Sequence, residues 1–160
     1  CAVKVDDELH IFDEILMVNA TTWDMADEIN HRFSLERKKD ICPDPTGAAR
    51  KTAGVGLTDH AILRKAGIKV STPKSPWKIR DKVNCVNTAV LDGNQVRRLK
   101  IHPRCRETIK SLRTLVYDQN GLPNKKLGVD HMFDALGYLC LMKFNLNTHG
   151  KLGTTKYRVW

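Results

Sequence analysis

The chain opens CAVKV (1–5), DDE (6–8), LHIFDEIL (9–16), and this stretch decides how the rest is read. Two runs rich in Val, Ile, Leu and Phe flank three consecutive acids, the pattern of a β-hairpin with an acidic turn. Working outward, Thr21 opens a helix with Asp24 three residues on, a variant of the capping box. Met25, Ile29 and Phe33 supply its apolar stripe. Asp40 to Cys42 reads as a short strand ending at Pro43-Asp44-Pro45, and a glycine-rich loop follows from Thr46 to Leu57. Thr58 or Asp59 caps a short helix that Gly67 stops, and Ile68 to Val70 is again extended. The spacing predicts a helix over 76–91 with Ile79, Val83, Val86 and Val90 on one face, closed by Gly93. Then come a strand from Arg98 to Ile101 and a helix opened by Pro103 that carries Cys105, Ile109, Leu112 and Val116. A loop from Asp118 to Gly128 leads to a last helix over about 129–143. A hairpin followed by strands alternating with helices implies an α/β fold with a mixed sheet flanked by helices. The ribonuclease H-like fold is one arrangement that fits.

The length of 160 residues is that of one domain with an ordinary core, and no linker or repeat divides it. No apolar run approaches the ~18 residues of a membrane span. The absence of an initiator Met and a start inside a strand read as a piece of a longer chain. The five cysteines, Cys1, Cys42, Cys85, Cys105 and Cys140, are odd in number, widely spaced and form no CxxC. That argues against a disulfide framework and a structural zinc site, and for a reducing, cytoplasmic setting. The net charge of +9 is uneven: residues 1–30 hold one base, Lys4, against eight acids, and residues 31–160 hold twenty-six bases against ten acids. Such a balance favours a polyanionic partner, of which nucleic acid is the commonest.

Two segments carry the residue types that chemistry needs. Asp44 lies just past the end of a strand, where ligand groups of α/β sheets gather. Asp-Pro-x-Gly is equally good turn chemistry, and spacing alone does not choose between the two uses. On the last helix, Asp130 and Asp134 stack at i and i+4, with His131 beside Asp134 at i+3. Two carboxylates and an imidazole there can bind a hard divalent cation, although Asp130 has an alternative use as helix N-cap. Phosphodiester hydrolysis by two Mg²⁺ or Mn²⁺ ions about 4 Å apart needs clustered carboxylates from separate elements. Asp44 and Asp134 meet that need, and Glu14 is the best third candidate, against its plainer use as an exposed strand-end acid. The loop pairs Arg50 with Lys51 and Lys125 with Lys126 can follow a phosphate backbone. The stretch 97–113 holds seven bases against one acid, Glu107. No GxxxxGK[ST], GxSxG, HExxH or GxGxxG is present, so no nucleotide-binding loop is expected in this chain.

Four motifs in register resemble the nuclease domain of the tailed-phage terminase large subunit, and together they cover nearly the whole chain. They are CPDPTGAARKT (42–52), TD (58–59) with ILRKAG (62–67), RDKVNCVN (80–87) and DHMFDALGY (130–138), the last similar to that family's HxxDALxY signature. The resemblance implies a ribonuclease H-like fold without its first strand. It implies a two-metal Mg²⁺ or Mn²⁺ endonuclease that cuts concatemeric double-stranded DNA during genome packaging. It places Asp44 and Asp134 as metal ligands and His131 in or beside the site, without deciding Asp130 or Glu14. Arg50, Lys51, Arg80, Lys82, Lys125 and Lys126 are then the bases expected at DNA. The implied partners are the terminase small subunit and the portal, in the host cytoplasm and without a membrane. The family's ATPase motor has no counterpart in these residues. The alternatives are a catalytically incomplete DNA-binding or docking module of the packaging motor, and another ribonuclease H-like nuclease such as a resolvase.

Overall fold

A computed structural model describes residues 1–35, 39–49, 56–73, 76–119, 122–124, 128 and 130–144. They fall into two compact units. The first combines Cys1–Leu16 with the described residues from Trp77 onward, and the second is Met17–Pro76. Both mix helices with strands, as the hairpin and the later alternation imply.

In the first unit, β1 (Ala2–Val5) and β2 (Glu8–Ile11) pair antiparallel, from Ala2 opposite Ile11 to Val5 opposite Glu8. The turn is therefore two residues, Asp6 and Asp7, not three. Asp6 sits at φ +50°, a left-handed conformation that Asp tolerates and that matches the strand twist. β5 (Leu99–Ile101) adds parallel to the other side of β2, which makes the sheet mixed with order β1-β2-β5. The second expected strand, 9–16, stops at Ile11. Beyond it, Cys1 O accepts from Phe12 N at 3.1 Å and from Asp13 N at 3.5 Å, and Glu14 turns away to another partner.

The central strand buries Leu9 and Ile11, and three helices cover it: α3 (Ile79–Val90), α4 (Arg106–Thr114) and α5 (Asp130–Phe144). Val83, Val86, Cys85, Ala89, Phe133, Leu136, Cys140 and Leu141 complete one core with Leu99 and Cys105. The buried face of α3 is centred on Val83 and Val86, as expected, while Ile79 and Val90 at its ends are exposed. α4 starts at Arg106, after a turn whose Cys105 N donates to His102 O, and not at Pro103. Val116 lies beyond its end and is exposed.

In the second unit, α1 (Thr22–Arg32) carries the full capping box: Thr21 Oγ1 accepts from Asp24 N, and Asp24 Oδ2 accepts from Thr21 N. β3 (Asp40–Ile41) and β4 (Lys69–Val70) pair parallel in a separate two-stranded sheet, with α2 (Asp59–Lys65) between them in sequence. Thr58 caps α2, and Gly67 at φ +80° ends it, its N–H donating to Arg64 O. Ala26, Leu63 and Ile68 form the small core with Ile29, Ile41, Ala66 and Val70. All five cysteines are free.

Candidate functional site

The candidate residues divide between the units. In the second, β3 delivers the chain to Asp44, which caps a 3-10 turn at Pro45–Ala48. The Asp44 carboxylate accepts from Thr46 N at 2.9 Å, and its carbonyl accepts from Gly47 N at 3.0 Å. The turn chemistry of Asp-Pro-x-Gly is thus realised, with the carboxylate exposed. Beneath it lies His60, buried on α2, whose Nε2 stands 2.9 Å from Asp44 O. A Cβ on Gly47 would stand 3.0 Å from that Nε2, so any larger residue there would press on the imidazole. Asp59, next along α2, accepts from Thr22 Oγ1 of α1 at 2.8 Å.

These groups line a cleft of about 300 Å³ with Thr21, Thr46 and the apolar Met17, Met25 and Leu63. Asp59 and His60 are lining residues to which sequence reasoning gave no site role, Asp59 having entered it only as a possible helix cap and in the TD motif (58–59). Their one signal was their place in the first turn of the Thr58-capped helix, whose polar positions a periodicity reading treats as surface.

In the first unit, α5 begins with Asp130, buried, then His131, exposed, and Asp134, partly buried one turn on. Asp134 has a cation: Lys82 Nζ of α3 donates to its Oδ1. Lys82 is itself only 4% exposed. Its ammonium stands 4.5 Å from the centroid of the Tyr138 ring, one helical turn past Asp134, and Trp77 packs on that ring at 6.2 Å. Gly137 makes room for the lysine stem, since a Cβ there would meet Lys82 Cβ at 3.1 Å. Lys82, expected at DNA, is thus turned inward, whereas Arg80 of the same helix is exposed.

Glu14 has structural work. Its two carboxylate oxygens accept from Glu107 N and Thr108 N, each at 2.9 Å, and from Thr108 Oγ1 at 2.8 Å. It caps α4 from outside the helix, satisfying donors that the first turn leaves open. Burial alone would raise its carboxyl, but the Glu107 and Thr108 donors together outweigh it and hold the group below its ordinary value.

Of the bases between 97 and 113, Arg98 is buried between Asp7 at 2.6 Å and Asp92 at 2.8 Å. Arg97, Lys100, Arg104, Arg106, Lys110 and Arg113 are exposed. Arg50, Lys51, Lys125 and Lys126 lie outside the described residues, as does the 145–160 tail.

Among the described residues no three His, Cys, Asp or Glu side chains form a group that could hold a metal ion. No described helix is long and apolar enough to cross a membrane. Comparison of the chain with family models, with curated proteins and with solved structures finds no match.

Proposed function

We propose that this chain is a metal-dependent endonuclease domain of the terminase large-subunit type, with a ribonuclease H-like fold. On this reading it cuts concatemeric double-stranded DNA during phage genome packaging, in the host cytoplasm, with the small subunit and the portal as partners. The observation that carries the reading is the start of α5, where Asp134 stands partly exposed beside Asp130 and His131 with a cation already seated on its carboxylate. A carboxylate oxygen is the hard donor type that Mg²⁺ or Mn²⁺ takes. Asp134 and Asp44 would hold the metal, with His131 beside it. The metal would activate water and stabilise charge on the phosphodiester oxygens. The chain's own contribution is to fix Asp134 on a packed helix, fix Asp44 on a proline-stiffened turn, and present Arg80 and other exposed bases to phosphates.

The test is relaxation or linearisation of supercoiled plasmid with Mn²⁺, Mg²⁺ or EDTA, beside Asp44→Ala and Asp134→Ala. Metal-dependent cutting should fall by on the order of 100-fold or more in each variant, since a metal supplies several kcal/mol of transition-state stabilisation. Cutting that survives Asp134→Ala rejects the reading. One observation favours the alternative of a catalytically incomplete DNA-docking module: Glu14, the third candidate ligand, has both oxygens engaged at α4. DNA retention without cutting in any metal selects that alternative.

A further inference from the structure

Seven bases stand between residues 97 and 113, and the fold disposes of them unequally. Arg98 is buried between Asp7 and Asp92, so its charge is neutralised inside the unit. Lys100 and Arg104 are exposed but face Glu8 at 3.4 Å and Asp13 at 3.9 Å. What remains gathers on α4. Arg106, Lys110 and Arg113 follow at i, i+4 and i+7, so they line one side of the helix, and all three are exposed. The other side is packed: Thr108 and Ser111 are buried, and Leu112 lies against the core. Among the described residues Arg106 and Arg113 make no ion pair, and Lys110 meets Glu107 at 3.7 Å on the surface, where such a pair is weak.

The spacing suits a nucleic-acid strand. At the rise of an α-helix, Arg106 to Arg113 spans about 10 Å, and one strand of duplex DNA carries a charge about every 3.4 Å of axis, so the three bases match about three phosphates. The face is also preformed, because Glu14 accepts from Glu107 N and Thr108 N and fixes the first turn of α4. What it lacks points the same way. The exposed residues of α4 are Arg106, Lys110, Arg113 and Thr114, with no large apolar side chain among them. A lipid surface takes apolar side chains into its boundary, and a stable protein interface has an apolar centre. A phosphate backbone needs neither.

We propose that the exposed side of α4 is a docking face for duplex DNA, with Arg106, Lys110 and Arg113 on successive phosphates of one strand. The choice of duplex DNA rests on the reading of this chain as a DNA-cutting domain, but the face itself needs neither metal nor cutting. Its contacts are electrostatic and carry no base sequence.

The experiment is fluorescence anisotropy of two short duplexes of unrelated sequence, in EDTA, over a series of salt concentrations. Arg106→Gln, Lys110→Gln and Arg113→Gln should each lower the salt slope by about 1 and weaken binding about eightfold at about 0.1 M salt. The triple variant should lose a slope of about 2.7, equally on both duplexes. Arg97→Gln removes the same charge from an exposed position ahead of β5, off α4, and should leave the slope unchanged. All these positions are exposed, so every variant should melt with wild type.

A wild-type chain that binds neither duplex, or a triple variant with the wild-type slope, overturns the docking face; plasmid cutting by wild type with Mn²⁺ would then leave the nuclease reading standing without it. If Arg97→Gln costs as much as each α4 variant, the effect is one of net charge and the face is again overturned. A labelled glutamate polymer bound as tightly as the duplexes, and lost in the same variants, would give the face to an acidic protein instead. Duplex binding lost in the triple variant, with no cutting by wild type in any metal, would keep the face and remove the nuclease.

Discussion

Asp44 and Asp134 are both carboxylates at the beginning of helical structure, and the protein uses them in opposite ways. Asp44 is exposed, and its carboxylate accepts from a backbone N–H two residues on, in a turn that neighbouring residues build. Asp134 is partly buried, and it pairs with a lysine 52 residues away on another helix. The first arrangement is a turn that would form almost anywhere the same residues occurred. The second exists only because α3 packs on α5 with a glycine at their contact.

That contrast makes its largest prediction on stability. Asp134→Ala leaves the Lys82 ammonium buried without its carboxylate, and breaking a buried pair costs about 3–5 kcal/mol. Because Asp134 is 29% exposed, water can replace part of its role, and about 2–3 kcal/mol is the expected loss. Asp44→Ala removes a local capping bond and should cost about 0.5–1 kcal/mol. Urea unfolding of the two variants measures the difference, and equal losses would erase the distinction drawn between them.

The two glycines sharpen it. Gly137→Ala sets a methyl 3.1 Å from Lys82 Cβ, which is near the backbone and has little freedom to move. Gly47→Ala sets one 3.0 Å from His60 Nε2, the far edge of a ring. Overpacking of this kind costs about 1–3 kcal/mol, and Gly137 should fall in the upper half of that range. Gly47→Ala should show a smaller loss together with a displaced His60 ring, visible as a shifted imidazole resonance. An unperturbed His60 would mean that the turn moves instead.

What could be read from the sequence follows the same division. The hairpin, the Thr21 capping box, the Gly67 stop and the Asp44 turn are set by neighbours in sequence, and their residues give them away. The α/β class follows from their order. The inward turn of Lys82 is invisible locally, because a lysine between Asp81 and Val83 of an amphipathic helix reads as surface until a carboxylate and a glycine on another helix are known. Glu14 was ambiguous for the same reason: its partners lie more than 90 residues on. Arg98 counted toward a basic stretch, yet Asp7 and Asp92 consume its charge. Asp59 and His60 were passed over because a cleft floor looks like any polar first turn.

Glu14 provides a comparison of its own, since it caps α4 from a distance where Thr21 caps α1 from next door. Glu14→Gln keeps the shape but weakens the acceptor for two backbone N–H groups and the Thr108 hydroxyl, with an expected cost of about 1 kcal/mol at neutral pH. The folded carboxyl lies below its ordinary value of 4.5, so its contribution is fully present above that pH and is lost as pH falls through the folded value. The gap between wild type and Glu14→Gln should therefore close on acidification below about pH 4.5, and remain flat from pH 6 to 8. A gap that persisted at the acid end would assign the loss to packing and not to the charge.

The cysteines give the smallest effect and test whether the α3–α5 contact is as tight as the lysine pair requires. Burial pushes the Cys85 thiol up to about 12, and burial with Cys85 as neighbour raises Cys140 further. Neither presents a thiolate near neutral pH, so alkylation with iodoacetamide should mark exposed Cys1 first and leave Cys85 and Cys140 unmodified in the native chain. Because these two thiols lie in the same helix–helix contact that Gly137 closes, Gly137→Ala should raise their labelling rate in step with the lost stability. Gly47→Ala should leave them untouched, because His60, the side chain its new methyl would meet, belongs to the second unit. Labelling that rose equally in both variants would mean that the two units unfold as one, and the local-versus-global contrast would hold only for the bonds and not for the motions.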